Sequence, residues 1–173
     1  YGFLAAGPTP TPLFTSGRIS VLILVALLNG LMTFFTYFKD YHGDKRAGVK
    51  TYIVRHGPRV ARYAGLVGAL MPISFFLFCM HMQWLPFSVI LYPRDFIFCG
   101  TMATLLQLWT AILFFRNPTG TRTYFSLAIN IRACVAGEIA LIAIFNGTLA
   151  LYLFSACYIF IGFLFNLYKD ARS

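Results

Sequence analysis

Charge is scarce in this sequence, and negative charge is scarcest: 11% of its 173 residues are Asp, Glu, Lys or Arg, and five of them are acidic. With 59% apolar residues and a mean hydropathy of +0.74, too little polar surface remains to coat a soluble domain of this length. Lipid has to cover part of the chain. Paired cysteine spacing is also missing. Cys79, Cys99, Cys134 and Cys157 each fall inside an apolar stretch, which excludes a zinc module or disulfide ladder and leaves buried reduced thiols. No internal repeat is visible, and no low-complexity segment beyond the Pro/Thr-rich opening that contains Pro8, Pro10 and Pro12. That opening has no basic start, apolar core or small-residue cleavage site, so it does not read as a secretory signal. A chain that begins at Tyr1 in such a segment is expected to continue a longer polypeptide as its C-terminal portion, with residues 1–18 as a connection.

What is present is a series of long apolar runs. A helix needs roughly 20 such residues to cross the hydrocarbon core. Five runs qualify: Ile19 to Phe38, Tyr63 to Gln83, Phe96 to Phe115, Tyr124 to Phe145, and Leu149 to Tyr168. The expected fold is therefore all-α, a polytopic membrane bundle of about five transmembrane helices forming one domain over residues 1–173. The joint at Asn146, Gly147 and Thr148 is so short that the last two runs form either an antiparallel hairpin or one long broken helix.

The positive charge is concentrated. Seven basic residues, Lys39, Lys45, Arg46, Lys50, Arg55, Arg59 and Arg62, lie in the segment from Lys39 to Arg62. Alternation of the spans puts Arg116, Arg122, Lys169 and Arg172 on the same side, against Arg18 and Arg94 on the other. The loop 39–62 is thus expected on the cytoplasmic or equivalent organellar side, with the N-terminus outside and the C-terminus inside. A net charge of +9 raises nucleic acid as a partner, but the surplus sits at a membrane edge without interleaved aromatic residues. That pattern argues against nucleic acid and for membrane lipids, anionic headgroups or a diphosphate.

The same loop holds two of the five acidic residues, Asp40 and Asp44. If the first helix continues through both, their spacing puts the carboxylates on one face, with Cβ atoms about 5–6 Å apart. Two carboxylates together with waters and phosphate oxygens suit Mg²⁺. Lys45, Arg46 and Lys50 follow directly and Arg55 a little later, placed to neutralise a diphosphate. Gly43 and Gly48 allow close backbone approach or a turn. The bland alternative is that Asp40 and Asp44 pair with Lys39, Lys45 and Arg46 in a wet loop, and spacing alone leaves both open.

Asp40-x-x-x-Asp44-x-x-x-Gly48-x-x-Thr51, followed by His56-Gly57-Pro58-Arg59-Val60-Ala61, resembles the second aspartate motif and following loop of the UbiA superfamily of intramembrane prenyltransferases. The specific part of the resemblance covers about twenty residues; the other helices agree in hydropathy and order. The resemblance implies a helical bundle in which two aspartate-rich motifs face one another and hold Mg²⁺ on a prenyl diphosphate. The prenyl group then passes to a lipophilic acceptor, which in the family is an aromatic ring, a pigment alcohol or a glycerol-based lipid. It further implies that Asp40 and Asp44 are metal ligands and that Lys45, Arg46 and Lys50 contact the diphosphate.

Two features depart from the family pattern. The first motif, an Asn-Asp pair followed by another Asp, has no counterpart in the sequence, so half of a metal site is missing from it. Four spans follow the motif helix where the family plan has three. The competing expectation is a catalytically inactive UbiA-like subunit of a larger membrane assembly, with other membrane proteins as partners. A transporter or channel would need charged or broken helices in mid-membrane, and Asn29 and Glu138 are the only hints of that. Interhelical hydrogen bonding is the commoner role for those two. Arg132 lies six residues from Glu138, which rules out pairing along one face, and is expected to snorkel to the basic side. His42, His56 and His81 read as non-catalytic, and most aromatic residues as packing or lipid-facing groups.

Overall fold

A computed structural model describes residues 15–120 and 123–170, and among these every regular element is helical. The chain runs α1 (Ser16–Arg46), α2 (Tyr52–His56), α3 (Pro58–His81), a single 3₁₀ turn (Phe87–Val89), α4 (Pro93–Arg116), α5 (Thr123–Ala143) and α6 (Gly147–Asp170). Five of these helices are long and apolar enough to cross a membrane, and α2 is the exception. The protein is accordingly a multi-pass, all-α membrane bundle.

Local signals set the helix ends. At α1 the Thr15 hydroxyl accepts a hydrogen bond from the Arg18 amide at 3.3 Å. Its far end closes at Gly48, whose φ of +72° lets the Val49 amide turn back to the Asp44 carbonyl at 2.9 Å. Thr51 caps α2 by accepting from the Val54 amide at 3.4 Å. Gly57, at φ +78°, ends α2 and Pro58 opens α3. The helix α2 was not among the expected elements, although the Thr51 and Gly57-Pro58 signals bracket it.

Four helices close a ring, with α1 against α3, α3 against α4, α4 against α5, and α5 back against α1; α6 packs outside on α5 and, more lightly, on α4. Leu24, Leu28, Leu31, Phe35 and Phe38 recur at three- and four-residue intervals as the buried stripe of α1. Small residues opposite allow close approach. A Cβ on Gly65 would stand 3.0 Å from the Phe35 ring, one on Gly68 3.0 Å from Leu31, and one on Gly137 2.8 Å from Leu28. The innermost helix is α5, where Ala133, Ala136, Gly137, Ala140 and Ala143 are all buried. Toward the basic end, Phe35 and Phe114 stack with centroids 4.9 Å apart, and Phe38 lies 5.1 Å from Phe114. Ile53 of α2 is buried against this cluster.

The joint between the last two helices is resolved as an antiparallel hairpin: α5 ends at Ala143, α6 begins at Gly147, and the Asn146 side chain accepts from the Leu149 amide at 2.9 Å. Gly147 sits so close to Asp95 and Tyr92 that a Cβ there would collide with both. Arg132 finds an aromatic partner on the neighbouring helix: its guanidinium lies 4.4 Å over the Tyr158 ring of α6, beside Gly162, with Nε buried.

Candidate functional site

Helix α1 continues unbroken through Asp40 and Asp44, because its terminating glycine comes only at Gly48. At about 100° per residue the two carboxylates lie about 40° apart around the axis. They point away from the ring. The buried stripe centred on Leu31, Phe35 and Phe38 occupies the opposite side of the helix, and Asp40 and Asp44 share their side with exposed Leu22, Ala26, Thr33 and Tyr37. His42, between them in sequence, projects about 200° from Asp40 and stacks edge-on against Tyr41, so its ring does not join the carboxylates.

The cations are distributed unevenly. Lys39 Nζ meets Asp40 Oδ1 at 3.4 Å, with the Asp40 side chain 44% exposed, and lies 5.7 Å over the Tyr124 ring. Arg46 Nε donates to the His42 carbonyl at 3.2 Å, and Lys45 Nζ stands 5.9 Å over the Tyr41 ring. Among the described residues the side chains of Asp44, Lys50 and Arg55 make no hydrogen bond or ion pair. Thus Asp40 pairs with Lys39, while Lys45, Arg46, Lys50 and Arg55 surround the helix end without engaging either carboxylate. Further back, Arg62 packs over the Phe115 ring and donates to the Phe115 carbonyl at 3.4 Å, tying the start of α3 to the end of α4.

Two carboxylates on one accessible helical face fit Mg²⁺ as a partial ligand set, since the ion takes one or two carboxylates and completes its shell with water and phosphate oxygens. No cluster of three or more His, Cys, Asp or Glu side chains occurs among the described residues. Any complete metal cage therefore needs donors from elsewhere.

A second polar region lies inside the membrane. Asn29 Nδ2 donates to Glu138 Oε1 at 2.6 Å, linking α1 to α5 as the sequence leads one to expect. Asn130 Nδ2 reaches the Met32 carbonyl at 3.3 Å. The Cys134 thiol lies between two acceptors, Gln107 Oε1 at 3.7 Å and Asn130 Oδ1 at 3.8 Å, while Gln107 Nε2 and Thr110 Oγ1 are buried without a partner. Gln107, Thr110 and Asn130 are the functional candidates that reading the sequence missed; amides inside otherwise apolar helices were the available signal. Gln107 borders an open cavity of about 350 Å³ lined by α1, α3, α4 and α5. This cavity does not extend to the aspartates. Its deepest α1 residue, Leu28, is twelve positions or about 18 Å from Asp40, and the fully buried Phe35, Phe38 and Phe114 lie between those levels. All four cysteines are free thiols, three of them buried.

Compared with known protein families, with curated proteins and with solved structures, the chain matches none.

Proposed function

We propose that this chain contributes half of the metal and diphosphate site of an intramembrane prenyltransferase. Such an enzyme moves a prenyl group from an isoprenoid diphosphate to a membrane-embedded acceptor: an aromatic ring, a pigment alcohol or a lipid. The observation that supports it is the helical register of α1, which carries Asp40 and Asp44 on one accessible face at the basic edge of the bundle. In this reading Asp40 and Asp44 hold Mg²⁺, and the ion supplies charge neutralisation to the departing diphosphate. Lys45, Arg46, Lys50 and Arg55 take the remaining phosphate oxygens as point charges and forks. The carbon–oxygen bond to the diphosphate breaks, the acceptor bonds to the allylic carbon, and the acceptor loses a proton. The described residues leave the face that carries the carboxylates partly exposed, and the reading requires a second acidic motif from helices other than these. We also place the loop 39–62 on the cytoplasmic or equivalent organellar side, from its basic residues. A thiol reagent impermeant to sealed inside-out vesicles tests this, with Lys50→Cys expected to label there and not in right-side-out vesicles.

The experiment for the main reading is binding of geranylgeranyl diphosphate to the protein in native membranes, with Mg²⁺ and with EDTA. The expected result is Mg²⁺-dependent binding that Asp40→Asn and Asp44→Asn each weaken at least about tenfold. Binding indifferent to the metal and to both substitutions sinks the proposal. A second reading, an inactive subunit of the same ancestry within a larger membrane assembly, is favoured by one observation: the aromatic cluster separates the aspartates from the cavity lined by α1, α3, α4 and α5. Absence of an Asn-Asp-x-x-x-Asp motif from the rest of the polypeptide and from its copurifying subunits would favour that reading.

A further inference from the structure

We infer that the outer groove whose floor is α5 and whose walls are α1 and α6 receives a transmembrane helix of a partner subunit, one that carries a carboxylate level with Arg132 and a cationic donor level with Glu138, about two turns away. The inference does not depend on metal or diphosphate chemistry at Asp40 and Asp44.

Helix α5 packs on α1 at one flank and on α6 at the other, while α1 and α6 share no substantial packing with each other. Between those flanks α5 presents a strip of part-exposed apolar residues, Ile131, Val135 and Ile142. Glu138 borders the strip on the α1 side, where it meets Asn29, and Arg132 borders it on the α6 side, where it meets Tyr158. The two charged residues are six positions apart, which separates them by about 120° around the axis and about 9 Å along it. Opposite charges thus stand on the two edges of one apolar floor and form no ion pair with each other.

Neither is completed by the described residues. Glu138 accepts from Asn29 on Oε1, whereas its Oε2 makes no hydrogen bond and is not closed off from the surface. At Arg132, Nε is sealed without a partner, but Nη1 and Nη2 keep accessible surface and meet no acceptor. A Cβ on Gly162 would stand 2.5 Å from Nη2, so it is the lack of a side chain there that leaves the guanidinium its place on the groove wall. Charged groups at this depth are costly unless they are paired. Acyl chains offer them nothing, and one helix carrying the opposite pair serves both. A second copy of the chain is the wrong occupant, because a two-fold axis along the membrane normal sets Arg132 level with Arg132 and Glu138 level with Glu138.

The test uses the full chain carrying Val135→Cys, midway between the two charges, in phosphatidylcholine liposomes with a glutathione redox buffer. The probes are synthetic Leu/Ala transmembrane peptides of about 24 residues. Each has a central cysteine flanked on the same face by Glu and Lys seven positions apart, about 10 Å; control peptides carry Leu/Leu, Glu/Glu or Lys/Lys instead. Disulfide yield reads occupancy of the groove, and the chain without Val135→Cys gives the background from its native thiols. The Glu/Lys peptide is expected to crosslink about fivefold more than the Leu/Leu peptide, and more than either like-charged one. Glu138→Gln and Arg132→Gln should each erase most of that preference, with helicity by circular dichroism showing that the bundle persists. Equal yields for Glu/Lys and Leu/Leu peptides overturn the proposal. So does a preference that survives both substitutions, or Val135→Cys homodimers that outcompete the Glu/Lys peptide.

Discussion

Two polar pairs on the same side of α1 are treated in opposite ways. Asp40 and Asn29 are eleven residues apart, about 16 Å along the axis, and differ by only about 20° around it. At the wet end Asp40 makes one solvent-exposed ion pair and Asp44 makes none. In the bilayer Asn29 is joined to Glu138 at 2.6 Å. Water can satisfy a carboxylate at the membrane edge, so the fold is free to leave that pair available for a ligand. No such reservoir exists a few turns deeper, where each polar atom has to find protein or remain a liability. The orphaned donor of Gln107 is conspicuous for that reason.

The contrast can be broken by substitutions of graded severity. The largest effect is expected where packing separates the two regions. Phe114→Ala removes a fully buried ring stacked between Phe35 and Phe38, and should cost about 3 kcal/mol or more in unfolding from mixed micelles. Gly137→Ala comes next, because its Cβ would press into Leu28 at 2.8 Å; about 1–3 kcal/mol is expected in the same assay, and Leu28→Ala in the same chain should recover part of it. Asn29→Ala strips Glu138 of its partner and should cost about 1–2 kcal/mol, whereas Glu138→Gln keeps an acceptor oxygen and should stay within about 0.5 kcal/mol. The smallest effect sharpens the comparison. Asp44→Asn should leave stability unchanged within about 0.5 kcal/mol, and a large loss there would show the wet pair to be structural rather than available.

Much of the architecture was legible in the sequence, for a specific reason. Spans such as Phe96 to Phe115 are bounded by Pro93 and Arg116, signals that depend on neighbouring residues alone. Which face of a span turns inward is a different matter. Lipid is as apolar as the interior of the bundle, so Leu22 and Leu24 look equivalent in sequence although one is 46% exposed and the other 3%. The outward orientation of Asp40 and Asp44 was illegible for the same reason: their common face followed from spacing, but its direction depended on where α3 and α5 pack. Arg132 shows the limit most plainly, since its partner Tyr158 lies on another helix and no short-range rule links them.

The position of α5 also has a consequence for how the protein is made. The ring closes only when α5 meets α1, and Ala143 leaves the ribosome 97 residues after Arg46, by subtraction of the two helix ends. At roughly 5–20 residues per second that interval is about 5–20 s. For that time Asn29 is in or near the bilayer with no Glu138 to receive its amide, and the Leu28 side of α1 has no Gly137 to pack against. The nascent helix must be held by the insertion machinery, or by another membrane chain, until the keystone arrives.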